Sequence, residues 1–268
     1  MRASLLAGVL LVGCSLDSGV RSESANTVHP WPADRVLSTA AWIDRNQLPR
    51  PFLLSPGRRI AASDWAPNVG GVLVTSDVSS RFSRQAVYLV SPTGTMTRIA
   101  PPADLDSPIS EVVLLPRQPV HLVFAEAYRS GASLSPSLLE TFRGLPDHGD
   151  IVVTDLSSRP RRRYRSGHYV LPSPNSEWLA FWRSGSDGLH NLFVARAPDG
   201  DPEFVCAVTE ADRGSGLSFA TTWSSDSQFL RVHGAGYRWS TIDWVYEPAR
   251  ATLYAMPPKP SLQGTPSG

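Results

Sequence analysis

The residues best equipped for chemistry are dispersed along this chain. Six histidines, His29, His121, His148, His168, His190 and His233, stand singly, with no two at the spacing that presents a pair of zinc ligands. Asp187, Asp199 and Asp226 fall in stretches rich in Gly, Pro and Ser, where aspartate serves the hydrogen bonds of turns rather than proton transfer. No nucleophile elbow and no paired carboxylates occur, so no catalytic residue, metal or cofactor is expected. Catalysis stays open only because a folded chain can gather distant residues at one point. Cys206 lies in the apolar run Glu203 to Val208 and is expected to be a small buried side chain, since nothing nearby supplies the electropositive, exposed setting of a reactive thiol.

Two other groupings could recognise a ligand. Arg159-Pro160-Arg161-Arg162-Arg163-Tyr164-Arg165 is the densest charge in the chain. As a strand it carries arginine on both faces, which suits an outer sheet edge and no central position. Arg161, Arg162, Arg163 and Arg165 could bind a polyanion or a phosphorylated glycolipid, or could simply be a solvated edge protected from aggregation. The eight tryptophans could stack on sugar rings. Trp65, Trp178, Trp182 and Trp223, however, sit at equivalent points of a repeat and are expected in the core.

Composition bounds the rest. With 41% apolar and 18% charged residues the chain is globular, and 268 residues are enough for a substantial core. The formal net charge of +1 supplies no bulk field, so nucleic acid is not an expected partner. The N-terminus reads as an address. Arg2 precedes an apolar run from Ala3 to Val12 that is too short to span a bilayer. It ends in Leu11-Val12-Gly13-Cys14, which resembles the bacterial lipobox, in which the cysteine is acylated and becomes the first residue. That resemblance implies a signal peptide over 1–13, a lipid anchor on Cys14 and export to the cell envelope, facing the periplasm or the exterior. At about 0.8 kcal/mol for each buried methylene, two or three acyl chains hold a protein at a membrane without a transmembrane helix. Residues 14–32 read as a flexible tether, 33–256 as the folded domain and 257–268 as a disordered tail.

The elements that must position any site are short strands in a repeat. Turns at Trp65-Ala66-Pro67-Asn68, Leu115-Pro116-Arg117, Pro174-Asn175 and Trp223-Ser224-Ser225-Asp226 each lead into an apolar strand, at intervals of about 50–60 residues. Each is followed by a second strand and a turn into a third: Ala86 to Ser91 then Thr95 to Ile99, Asp150 to Asp155 then Arg161 to Arg165, Asn191 to Arg196 then Pro202 to Val208, and Trp239 to Tyr246 then Ala251 to Met256. Such a unit matches one propeller blade, with some loop growth. The second repeat is interrupted over 129–149, where Ser135 and Pro136 could start a short helix carrying Leu138, Leu139 and Phe142 on one face and ending at Gly144. That apolar knob either docks a partner or covers the rim.

Ser173-Pro174-Asn175-Ser176-Glu177-Trp178-Leu179-Ala180-Phe181, with Asp187-Gly188, Asn191-Leu192-Phe193-Val194 and Asp199-Gly200, resembles the WD40-like repeat of TolB-type β-propellers. Trp223 to Leu230 matches its first half again. Asn175-Ser176 stands where the repeat usually has Asp-Gly. The expectation is therefore an all-β protein: a β-propeller of four to five four-stranded blades, with Val36 to Ile43 and Pro51 to Leu54 available as strands for a fifth blade or for closing the ring, and one short helical insertion. The resemblance implies an interaction platform with an envelope protein as partner. A glycan-binding or glycan-cleaving propeller is the alternative, and a ring of carboxylates at the channel mouth would favour it.

Overall fold

The computed structural model describes residues 27–32, 54–66, 68–128, 149–184, 189–209, 218–235 and 243–256. The expected lipidation site Cys14, the expected helix with Leu138, Leu139 and Phe142, the segment 33–53 and the tail 257–268 lie outside them.

The described chain is built from strands, joined by one 3-10 turn at Pro248–Arg250. Four sheets follow one another in sequence. The first holds β2 (Arg58–Ala66), β3 (Gly70–Asp77), β4 (Ala86–Val90) and β5 (Met96–Ile99); the second holds β6 (Ile109–Leu115), β7 (His121–Glu126), β8 (Ile151–Asp155) and β9 (Pro160–Tyr164). The third holds β10 (Gly167–Pro172), β11 (Trp178–Ser184), β12 (Leu189–Arg196) and β13 (Glu203–Thr209). The fourth holds β14 (Ser218–Trp223), β15 (Leu230–Ala235), β16 (Asp243–Glu247) and β17 (Thr252–Ala255). Every pairing within these four meanders is antiparallel. They are four propeller blades. The repeated turn read from the sequence joins the first strand of each blade to the second, so the strand preceding each turn completes the set of four.

Blades stack because their central strands are apolar on both faces. In β11, Leu179 and Phe181 pack toward the second blade while Ala180 and Trp182 pack toward the fourth. In β7, Val123 and Ala125 face the third blade and Leu122 and Phe124 the first. With a side-chain period of two, a strand covered on both sides must read as an unbroken apolar run, as LAFW in β11 and LVFA in β7 do. Phe181, Phe124 and Leu230 are completely buried, and each contributes about 1.5–3 kcal/mol. Trp65, Trp182 and Trp223 are buried and Trp178 packs against the core between the third and fourth blades, as their repeat positions require. Cys206 is buried in the same core, and burial pushes its thiol up to about 12.

Two turns repeat atom for atom. In blade three the Ser173 hydroxyl donates to Asn175 Oδ1 at 2.7 Å and accepts the Trp178 amide at 3.0 Å, while Glu177 N–H donates to Asn175 Oδ1 at 3.0 Å. In blade four Ser224 to Asp226, Phe229 to Ser224 and Gln228 to Asp226 make the same set at 2.6, 2.9 and 3.1 Å. Ser176 and Ser227 occupy the left-handed region at φ 57° and 63°, the position for which the related repeat uses glycine.

The end of the expected tether is ordered. Val28–Pro30 forms β1, a parallel strand on the outer edge of the fourth blade beside β17. Trp31 follows it, edge-on to Phe229 and Tyr254 at 5.4 and 5.5 Å, with its amide donating to Ala255 O.

Candidate functional site

The first strands of blades one, two and three, β2, β6 and β10, lie side by side and are the innermost of their sheets. Each is interrupted by a bulge. The register slips between Ile60 and Ala62 in β2, between Ile109 and Glu111 in β6, and between His168 and Leu171 in β10, whereas β14 pairs with β15 without a break. All three bulges open on one cavity of about 430 Å3, with Ile60, Asp64, Arg81, Ser110, Glu111 and Val170 among its walls. Bulges redirect side chains and end close packing, and they recur beside binding sites. The size is that of a small-ligand pocket.

Two acidic side chains on these strands stitch the blades together. Asp64 on β2, 4% exposed, accepts the Leu114 amide of β6 through Oδ2 at 2.7 Å. Glu111 on β6 accepts the Val170 amide of β10 through Oε2 at 3.0 Å. The same interaction thus recurs one blade further on. Between blades three and four, the Trp223 indole N–H donates to Leu171 O at 3.0 Å. Burial pushes the Glu111 carboxyl up to about 7 from an ordinary 4.5, opposed by the Val170 amide and the Arg81 guanidinium and reinforced by the Asp64 charge. Arg81 donates through Nη2 to Ser110 O on the cavity wall.

At the bulge of β10, Tyr169 has φ 52° and is 61% exposed. A bulky side chain in the left-handed region is strained, and here it presents an aromatic ring to solvent one residue from the cavity wall. Its ring meets His168, whose ring in turn lies 6.2 Å from that of His190. The fold therefore brings together two histidines that are apart in sequence, but no group of three metal-ligating side chains forms among the described residues.

The arginine run occupies β9, the outer edge of blade two, as its two-faced charge requires. Most of that charge is engaged within the protein. Arg161 pairs with Asp155 at 3.3 Å, Arg162 with Asp201 at the turn of the next blade, and Arg163 with Asp150 and Asp106, both at 2.6 Å. Arg163 also lies 3.7 Å from Glu126, a 3% exposed carboxylate that accepts the amides of Asp106, Ser107 and Asp150. The Asp155 carboxyl is held below its usual range, chiefly by the Arg159 amide. Arg165 is exposed and has no ion-pair partner among the described residues.

None of the cavity residues was singled out from sequence. Glu111 is the lone charge in the strand ISEVVLL, and Asp64 immediately precedes the repeat tryptophan. Each is an acid set beside or within an apolar stretch of its strand, and that is the signal that could have found them.

No family model matches the chain, and no curated protein matches it. Solved structures similar to it include β-propellers. The β-propeller domain of the Trilobed protease from Pyrococcus furiosus is 17% identical over 50% of this chain and 37% of that one, with a TM-score of 0.33. A protein of Agrobacterium tumefaciens assigned as TolB is 9% identical over 74% of this chain and 61% of that one, with a TM-score of 0.42. The β-propeller domain of Myceliophteria thermophila Cps50 is 11% identical over 75% and 86%, with a TM-score of 0.31. The chain thus spans less than two thirds of the length of the first two. The blade assignment rests on the four sheets and the three cores between them.

Proposed function

We propose that the chain is a lipid-anchored, exported β-propeller that acts as a binding platform in the bacterial cell envelope, with the cavity on its inner strands as the docking point. The observation that carries this reading is the meeting of three independent bulges at one cavity. The bulges between β8 and β9 and between β12 and β13 lie away from the cavity, whereas all three bulges of the inner strands open on it. The mixed walls of the cavity, with Asp64, Arg81, Ser110 and Glu111 among apolar residues, suit recognition of a small protruding part of a partner. The anchor is read from Leu11-Val12-Gly13-Cys14, and the partner is proposed to be an envelope protein.

The test is metabolic labelling with alkyne-palmitate and in-cell crosslinking, with the intact chain compared with Cys14→Ala. The intact chain is expected in the membrane fraction, labelled, and crosslinked to a specific protein; Cys14→Ala is expected to lose label, membrane association and crosslink together. Unchanged fractionation of the variant would refute the anchor. Failure of any protein to enrich above background would refute the platform.

A further inference from the structure

The cavity carries a pair of opposite charges, Glu111 on β6 and Arg81, whose guanidinium is bonded to the adjacent Ser110, with apolar residues lining the same space. Glu111 from β6 commits Oε2 to the Val170 amide, and its Oε1 has no hydrogen-bond partner among the described residues. Arg81, from the connection after β3, commits Nη2 to Ser110 O and keeps its remaining N–H groups. Ile60, Val170, Leu171 and Pro172 line the space alongside. Neither Glu111 nor Arg81 forms an ion pair among the described residues, so both charges remain available to a ligand that enters the cavity.

We propose that this cavity binds a small zwitterion of the amino-acid or dipeptide type, its ammonium on Glu111 Oε1 and its carboxylate on the Arg81 guanidinium. The inference rests on the reading of the cavity as the docking point and names the chemistry it accepts. A simple amine would leave the guanidinium unused, a simple carboxylate would meet Glu111 and Asp64 with like charge, and a neutral sugar would use neither charge. The apolar wall takes an aliphatic side chain, and about 430 Å3 accommodates one or two residues.

Binding depends on pH through Glu111. The charged groups facing it are Asp64 from β2 and Arg81 from the connection after β3, while β10 contributes the Val170 amide. Only the ionised carboxylate holds an ammonium strongly. With the free carboxyl titrating at about 7, affinity rises roughly tenfold between pH 6 and pH 8.

The experiment is isothermal titration of the full-length chain, in detergent, with alanine, leucine and alanyl-alanine, alongside isobutylamine, isobutyrate and glucose. Zwitterions are expected to bind at least about tenfold more tightly than the amine or the carboxylate, with the stated pH dependence. Glu111→Gln should weaken binding and flatten the pH profile. Arg81→Gln, a change at an exposed side chain, should bring the zwitterion down to the affinity of the amine. Equal binding of amine and zwitterion, a flat profile in the native chain, binding of glucose alone, or no binding would each overturn the proposal. The crosslinked partner serves as the separate readout. Its retention by Glu111→Gln alongside failed titrations leaves the platform standing without this ligand, and its absence from the native chain refutes the platform whatever the titrations show.

Discussion

Replacing Glu111 by glutamine tests the physical account of the cavity without any ligand. Glutamine keeps the acceptor that Glu111 offers to the Val170 amide at 3.0 Å and removes only the ability to ionise. In the unfolded chain the carboxyl loses its proton near 4.5, and in the folded chain at about 7. Between these values folding takes up a proton, so the contribution of Glu111 to stability is full below 4.5 and is lost as pH rises through 7. The whole interval corresponds to about 3 kcal/mol at 1.36 kcal/mol per pH unit, and partial solvent access reduces it to about 2–3 kcal/mol. Urea unfolding of both proteins at pH 5, 6, 7 and 8 gives the difference directly, because the other titrating groups cancel. Glu111→Gln is expected to be close to the native protein at pH 5 and to gain on it progressively, by about 2–3 kcal/mol at pH 8. A difference that stays flat would refute burial as the cause of the shift. A variant less stable than the native protein at pH 8 would show instead that Arg81 stabilises the carboxylate.

Two further outcomes follow from single contacts. Ser176→Gly should stabilise the protein by about 1 kcal/mol in urea unfolding, since Ser176 sits at φ 57° with a buried hydroxyl that has no partner. Ser227→Gly should not, because the Ser227 hydroxyl accepts the Asn175 amide at 2.9 Å across the blade junction; an equal gain at both positions would contradict the role given to that bond. Glu126→Ala should cost about 3–5 kcal/mol, because three amides and Arg163 lose a buried carboxylate; a loss below about 1 kcal/mol would mean that water replaces it freely.

What the sequence determined by itself was local. The Ser-Pro-Asn-Ser and Ser-Ser-Asp-Ser turns were legible because the three hydrogen bonds that recur in each close within five residues. The apolar second strands were legible because burial on both faces forces continuous apolar runs, and the arginine strand because charge on both faces admits only an outer edge. The ordering of Val28–Pro30 was not legible, since its pairing partner β17 lies more than two hundred residues away and its own polar flanks resemble a tether. The cavity also belongs to tertiary structure alone. Its defining bonds, Asp64 to Leu114 and Glu111 to Val170, span 50 and 59 residues, and its bulges exist only relative to the neighbouring strand. Sequence periodicity records which face a residue takes, but only the stacking of one blade on the next decides which charged groups meet and how deeply they are covered.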